Sequence, residues 1–305
     1  MKELIISSAE SGQRFDKFLG KYLPKAGRPF LYKMLRKKNI TLNGKKAAGS
    51  EILAPGDKVK LFFSEETIDL FTGKTPINSY DIGFESLIIY EDEDIMLINK
   101  PAGMLSQKAA AGDVSLCEYL ISYLYSSKKV SDESLRAFTP SVANRLDRNT
   151  SGLITAGKTL RGLQRLSEAF RTRMADKYYL ALVRGDVSRD YSLEGYLQKD
   201  EKTNTVHIKN EGDNSERIKT EVSPVCSNNG FSLVRIKLLT GKTHQIRAVL
   251  SSCGFPILGD KKYGVGFNGA GRQMLHSYQL VWNDTEYTAP LPADFERLAK
   301  KLGLI

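Results

Sequence analysis

Residues Asn144–Lys158 read NRLDRNTSGLITAGK. One carboxylate, Asp147, lies between Arg145 and Arg148. It is followed by Asn149-Thr150-Ser151-Gly152, a run of turn formers, and then by the apolar stretch LITA. This order puts Asp147 at the edge of a loop that runs into a strand. A loop edge carried by a sheet is a place where a side chain can meet a ligand. A surface ion pair would also account for an Asp among arginines, so the choice between the two falls to the rest of the chain.

Upstream, SLIIYEDEDIMLINKPAGMLS (residues 86–106) reads as two strands joined by an acidic turn, the second broken by Lys-Pro-Ala-Gly. Downstream, Leu160, Leu163, Leu166, Ser167 and Phe170 recur at helical spacing and predict a buried stripe. DKYYLALVRG (176–185) and GFSLVRIKLL (230–239) are predicted strands. Adjacent strand residues point to opposite faces, so Tyr178 and Tyr179 part company, and one of them can face a cleft. For either tyrosine alone, core packing with a bonded hydroxyl is the plain reading.

In LLTGKTHQIRAVLSSCG (238–254) a strand gives way to a helix that Thr243 can cap and Gly254 can stop, with Ile246, Val249, Leu250 and Cys253 inward. Arg247 lies near the N-terminus of that helix, against the macrodipole, which calls for an anion nearby. His244 is read as a capping or structural histidine. Strands and helices alternate irregularly, with hairpins. The expected fold class is therefore α+β, with a mixed, mainly antiparallel sheet.

The 305 residues carry a net charge of +10, and its location matters. Residues 1–64 hold 14 Lys+Arg against 5 Asp+Glu, a balance of +9, so the other 241 residues carry +1. A field confined to one small segment points to a polyanion, with nucleic acid foremost. Within it, Phe15, Phe18 and Leu19 mark one helix, ended by Pro24, and Arg28-Pro29 opens a second. On the second, Met34 and Leu35 fall within about 60° of Leu31, while Lys33, Arg36 and Lys37 gather on the opposite side. A strand, an Asn-Gly turn, a Pro-Gly-Asp turn and another strand follow. Glu65–Glu85, with Thr-Gly-Lys-Thr-Pro and an acidic surplus, has the composition of a linker.

Three scattered cysteines, Cys117, Cys226 and Cys253, argue against a disulfide framework and against a zinc site. MKELIISSAE has too short an apolar run for a signal peptide, and no run is long enough for a spanning helix. A cytoplasmic location is expected. No His/Cys cluster or glycine-rich phosphate loop is present, so neither a metal nor a nucleotide cofactor is indicated.

RLDRNTSGL, KYYLALV and TGKTHQIRAVL, with YEDEDIMLINKPAGM before them and PILGDKKYG and LHSYQL after, resemble the RluA family of pseudouridine synthases. The resemblance runs from about Ser86 to the C-terminus. Residues 13–64, with RFDKFL, the basic helix, NGK and GDKV, resemble the S4 RNA-binding domain. The implied organisation is an S4-like domain at 1–64, a linker at 65–85 and a pseudouridine synthase domain at 86–305. The implied activity is conversion of uridine to pseudouridine in RNA, with large-subunit ribosomal RNA as the partner and a monomer as the acting form.

Carried over by residue, the resemblance makes Asp147 the catalytic carboxylate and Tyr179 the active-site tyrosine. Arg247 becomes the partner of that Asp, and Arg145 the cation that displaces the target uridine from its stack. Thr150 and Lys242 join Lys33, Arg36 and Lys37 among the RNA-contacting residues. Two positions depart from the family's pattern: Asn144 stands where His is usual, and Lys242 where Arg is common. An Asp paired with Arg247 would stay charged, since a close cation favours the carboxylate. Whether it acts as nucleophile or base is open. Two other readings remain: a non-catalytic RNA-binding or ribosome-assembly factor, and a glycosidase or nuclease, which would want a second acid or a metal cluster.

Overall fold

The computed structural model describes residues 1–72, 78–80, 82–200, 205–209, 215–264 and 266–305. Chain contacts divide the molecule into two compact units. One holds residues 1–97, 107–144 and 155–167, and the other holds 98–106, 145–154 and 168–305.

The first unit opens with β1 (Lys2–Ile5), α1 (Phe15–Tyr22), α2 (Arg28–Arg36), β2 (Ile40–Leu42), β3 (Lys45–Lys46) and β4 (Lys58–Leu61). The four strands form an antiparallel sheet in the order β1-β4-β2-β3. The helices bury the expected stripes, Phe15, Phe18, Leu19 and Tyr22 on α1 and Leu31, Met34 and Leu35 on α2. Lys33, Arg36 and Lys37 stay exposed. Asp16 of α1 accepts two N–H bonds from Arg14 at 3.0 Å and the hydroxyl of Tyr32 at 2.8 Å, which ties α1 to α2. The Arg14 guanidinium holds the Asp16 carboxyl down at about 2. Asn43 and Gly44 both take positive φ, as a two-residue hairpin turn requires.

Glu65–Thr72 forms α3, which corrects the linker reading of that stretch. Ile68 is buried within the same core as α1 and α2, and Phe71 packs against it. Composition misled here because EETIDLFT has only a few apolar residues, yet Ile68 and Phe71, three apart, share the inward face while Leu70 is exposed. The Gly-Lys-Thr-Pro part of the expected linker lies outside the described residues.

β5 (Ile88–Glu91) and β6 (Ile95–Lys100) flank the acidic turn, which Asp92 closes by accepting the N–H groups of Asp94 at 2.8 Å and Ile95 at 2.7 Å. Next come α4 (Leu116–Ser126), α5 (Asp132–Ala137), β7 (Ser141–Val142), β8 (Ser151–Gly157) and α6 (Leu160–Arg171). Leu166 and Ala169 are buried on α6, whereas Ser167, expected inward, is exposed. Gly162 explains the difference: a Cβ there would stand 2.1 Å from the carbonyl of Asp94, so the helix packs on its glycine side. The Tyr22 hydroxyl donates to Glu133 at 3.1 Å, and the Leu160 N–H to Ala9 O at 3.0 Å, both within this unit.

The second unit adds β9 (Ala175–Arg184), β10 (Tyr191–Asp200), β11 (Thr205–Lys209), β12 (Glu216–Asn228) and β13 (Phe231–Leu238). These are followed by α7 (Gln245–Ser252), β14 (Leu275–Trp282), β15 (Thr285–Thr288) and α8 (Ala293–Lys301). The strand order is β11-β10-β12-β13-β9-β14-β8, with β15 on β14. Every pairing is antiparallel except β14 with β8, so the mixed, mainly antiparallel sheet is as expected. At that parallel contact Gly152 has φ +109°, and a Cβ would stand 2.1 Å from Ser277 O. The glycine of the TSG element is thus required by a close backbone approach as well as by a turn. Among the described residues no helix is long and apolar enough to cross a membrane.

Candidate active site

The loop carrying Asp147 is held on both sides of the carboxylate. Leu146 exchanges bonds with Ser106, whose hydroxyl donates to Leu146 O at 2.8 Å and accepts its N–H at 3.0 Å. Arg148 donates its Nε–H to Gly103 O at 3.0 Å and receives the Gly103 N–H at 2.9 Å. Lys100, fully buried at the end of β6, donates to the carbonyls of Pro101, Met104 and Arg148 at 2.9, 2.8 and 3.1 Å. Burial pushes its pKa down to about 7. Three carbonyl acceptors nonetheless use all three N–H donors of the ammonium form. The Lys-Pro-Ala-Gly break in the strand is therefore a clamp on the Asp147 loop.

Arg247 enters from the first turn of α7. Its Nη1 donates to Asp147 Oδ2 at 2.9 Å, while Nε and Nη2 make a bidentate pair with Asp260 at 2.7 and 2.8 Å. The anion that the macrodipole argument calls for is thus supplied twice. The carboxylates raise the Arg247 pKa against the cost of burial, and the guanidinium lowers that of the buried Asp260. Among the described residues none donates a hydrogen bond to Asp147 Oδ1, and the Asp147 side chain is 25 % exposed against 9 % for Arg247. One oxygen is fixed and the other is open.

The cap of α7 differs from expectation. The N-cap is His244, in the left-handed region at φ 55°, with no side-chain cap bond, and not Thr243. Gln245 closes the loop instead, accepting the Thr240 hydroxyl at 2.9 Å and the Lys242 N–H at 3.0 Å. His244 Nδ1 pairs with the Tyr263 hydroxyl at 2.9 Å, and its Nε2 is 4.0 Å from Asp147 Oδ2. Burial lowers its pKa, which favours the neutral ring.

Tyr179 and Tyr178 do face opposite ways. The Tyr178 ring lies 4.0 Å from the guanidinium carbon of Arg235. Tyr179 is 5 % exposed and stands opposite Ser277, its partner across the β9–β14 pair. Ser277 gives its own hydroxyl proton to Leu153 O at 3.0 Å. Burial pushes the phenol up to about 12, and the Asp147 charge adds to the shift.

The other expected residues divide. Arg145 is exposed, and among the described residues no carboxylate pairs with it. Thr150 is 2 % exposed and its hydroxyl faces Gln273 at 3.4 Å, so it braces the turn and does not present itself to a ligand. Lys242 is paired with Glu216 at 2.6 Å. Asn144 accepts both the N–H and the hydroxyl of Thr155, at 2.8 and 2.9 Å, which satisfies the side chain standing in place of the usual His. Lys33, Arg36 and Lys37 belong to the first unit, and Asp147 to the second. Sequence reasoning assigned no role to Lys100, Asp260, Tyr263 or Ser277. The signal for the first was a lysine ending an apolar strand. For Asp260 it was a Gly-Asp pair before a tyrosine.

A family model described as RNA pseudouridylate synthase matches residues 94–252, a span that contains Asp147, Tyr179 and Arg247. An uncharacterized RNA pseudouridine synthase of Mycoplasma genitalium is 31% identical over 93% of this chain and 90% of that protein. The ribosomal large subunit pseudouridine synthase C of Escherichia coli K12 is 32% identical over 99% of this chain and 97% of that protein. Human RNA pseudouridylate synthase domain containing 4 shares the fold. Its TM-score is 0.62 at 20% identity, over 73% of this chain and 95% of that one. The chain belongs to the RNA pseudouridylate synthases of the RluA type. Its reaction is the isomerisation of uridine to pseudouridine in RNA.

Proposed function

We propose that the target is uridine in large-subunit ribosomal RNA, and that Asp147 is the reacting carboxylate. The observation that carries the second point is the half-open aspartate, with Oδ2 held by Arg247 at 2.9 Å and Oδ1 without a donor among the described residues. The name of the E. coli relative supports the first.

Isomerisation breaks the N1–C1′ bond of uridine, turns the base and rejoins it through C5, with no net redox change. Asp147 engages the sugar as nucleophile or base. Tyr179 lies under the uracil, and its hydroxyl relays the C5 proton, passing its own to solvent as it receives that one. Unstacking the base costs a few kcal/mol, which Arg145 offsets by filling the vacated space. Lys242 meets a phosphate as a point charge. Residues 1–64 act as the S4-like RNA-binding head, gripping phosphates through Lys33, Arg36 and Lys37, and residues 86–305 act as the catalytic domain. The protein works as a cytoplasmic monomer.

The test is to incubate the full chain with unmodified large-subunit ribosomal RNA and to map pseudouridine by chemical probing, beside Asp147→Asn. Modification by the wild type, lost in the variant while RNA binding persists, is the expected result. Activity retained by Asp147→Asn would remove Asp147 from the chemistry. Silence at every uridine of several RNA folds would remove this RNA as substrate.

A further inference from the structure

We infer that Asp260 is a positioning residue for the isomerisation: its buried carboxylate takes up the charge of Arg247, so that Asp147 is clamped by the arginine and still keeps its negative charge for the sugar. The inference rests on the reading of Asp147 as the reacting group.

An isolated Asp–Arg pair is neutral overall, and its carboxylate is a weakened nucleophile and base. With a second carboxylate the trio carries one net negative charge. The geometry decides which acid is spent on the arginine. Asp260 occupies the Nε–Nη2 edge of the guanidinium, the one that makes two parallel bonds, at 2.7 and 2.8 Å. Its Oδ1 also accepts the N–H groups of Lys262 at 2.9 Å and Tyr263 at 3.1 Å. Four donors therefore converge on an acid whose side chain is 1 % exposed. Asp147 receives a single N–H, from Nη1.

The backbone under Asp260 is fixed as well. Gly259 has φ +75°, and a Cβ there would stand 2.1 Å from Arg272 O. Arg272 is paired in turn with Asp294 at 2.7 and 3.0 Å and donates to Asn149 O, in the Asp147 loop, at 3.1 Å. The Tyr263 ring covers the guanidinium, with 5.0 Å from its centroid to the guanidinium carbon.

The other titratable groups facing Asp147 are His244, Lys100, Lys262, Tyr179 and Tyr263. Of these, the two lysines are cationic when protonated, and the neutral histidine and the phenols supply no anion near neutral pH. Asp260 is the one carboxylate set against Arg247 besides Asp147 among the described residues.

The experiment measures single-turnover conversion of the RNA substrate by the full chain across pH, for wild type, Asp260→Asn, Arg247→Gln and the double variant, with Asp147→Asn alongside. Asp260→Asn is expected to lower kcat by about tenfold or more, to leave KM within about threefold and to move the acid limb of the rate profile to lower pH. The limb moves that way because the undivided charge of Arg247 then falls on Asp147. A brace without an electrostatic role would not move it. The double variant is expected to be no slower than Arg247→Gln alone, since Asp260 acts through that arginine. If Asp260→Asn does not fold, this comparison still decides, because the double variant removes both buried charges.

A wild-type rate in Asp260→Asn, an unmoved acid limb, or losses that multiply in the double variant would overturn the inference. An inactive Asp147→Asn beside a wild-type Asp260→Asn sinks only the role of Asp260. An active Asp147→Asn sinks the reading beneath it.

Discussion

The ammonium of Lys100 donates to the carbonyl oxygen of Arg148 at 3.1 Å, tying the end of β6 to the residue that follows Asp147. Two more of its donors hold Pro101 and Met104, so one side chain organises both strands of the loop that presents the carboxylate. Removing it takes the donor from three carbonyls around a fully buried side chain, at about 1–3 kcal/mol for each that water does not reach. Lys100→Met should therefore lower stability by several kcal/mol and lower kcat more than RNA affinity. Thermal melts and single-turnover assays check this, and an unchanged kcat in a folded variant would refute it.

Tyr179→Phe keeps the ring and deletes the phenol oxygen. If that hydroxyl relays the C5 proton, kcat should fall about 10²-fold while RNA binding changes little. Gel-shift and turnover measurements separate the two, and a variant at full speed would leave only the ring with a role.

His276 is fully buried, with Nδ1 2.9 Å from the Ser151 hydroxyl and Nε2 3.3 Å from Ala289 O. The carbonyl can only accept, so Nε2 carries the proton, Nδ1 accepts from Ser151, and the ring is neutral. Burial, against the pull of the Ala289 carbonyl, pushes its pKa down to about 4 from 6.5. Between those values the unfolded chain binds a proton that the folded protein refuses. This contribution is complete above pH 6.5 and is lost as pH falls from 6.5 to 4, on the order of 3 kcal/mol in all. Denaturant midpoints measured from pH 4.5 to 7.5 should show the fall, and His276→Asn should flatten it. An equal slope in the variant would assign the loss to other groups.

Reversing charge at the exposed Lys33, Arg36 and Lys37 should weaken RNA binding and flatten its dependence on salt by about two to three units of log–log slope. Leu31, Met34 and Leu35 face inward and are untouched, so the melting temperature should hold. An unchanged slope would take these residues out of the interface.

Much of the site was legible in the chain. Asp147, Tyr179 and Arg247 stand in three separate motifs, and the structure brings the first and third to 2.9 Å. Thr150 shows the limit. Its place in the turn was readable, but not the inward direction of its hydroxyl, which follows from packing against Gln273. The Ser167 stripe and the α3 linker failed for the same reason, since a helix face is chosen by its neighbour. For α6 that neighbour is the Asp94 carbonyl meeting Gly162, and for α3 it is the core that takes in Ile68.

The sequence by itself determined the helical stripes of residues 15–37, the concentration of positive charge before residue 65, and the identity of the motifs. These depend on composition and on spacing along the chain. The tertiary structure alone decided that Arg247 is divided between Asp147, 100 residues away, and Asp260, 13 residues away, and that Lys100 underpins the loop. Such partners meet only once strand register and loop closure are set. A charge, moreover, finds its balance among whatever groups the fold has brought within a few ångströms.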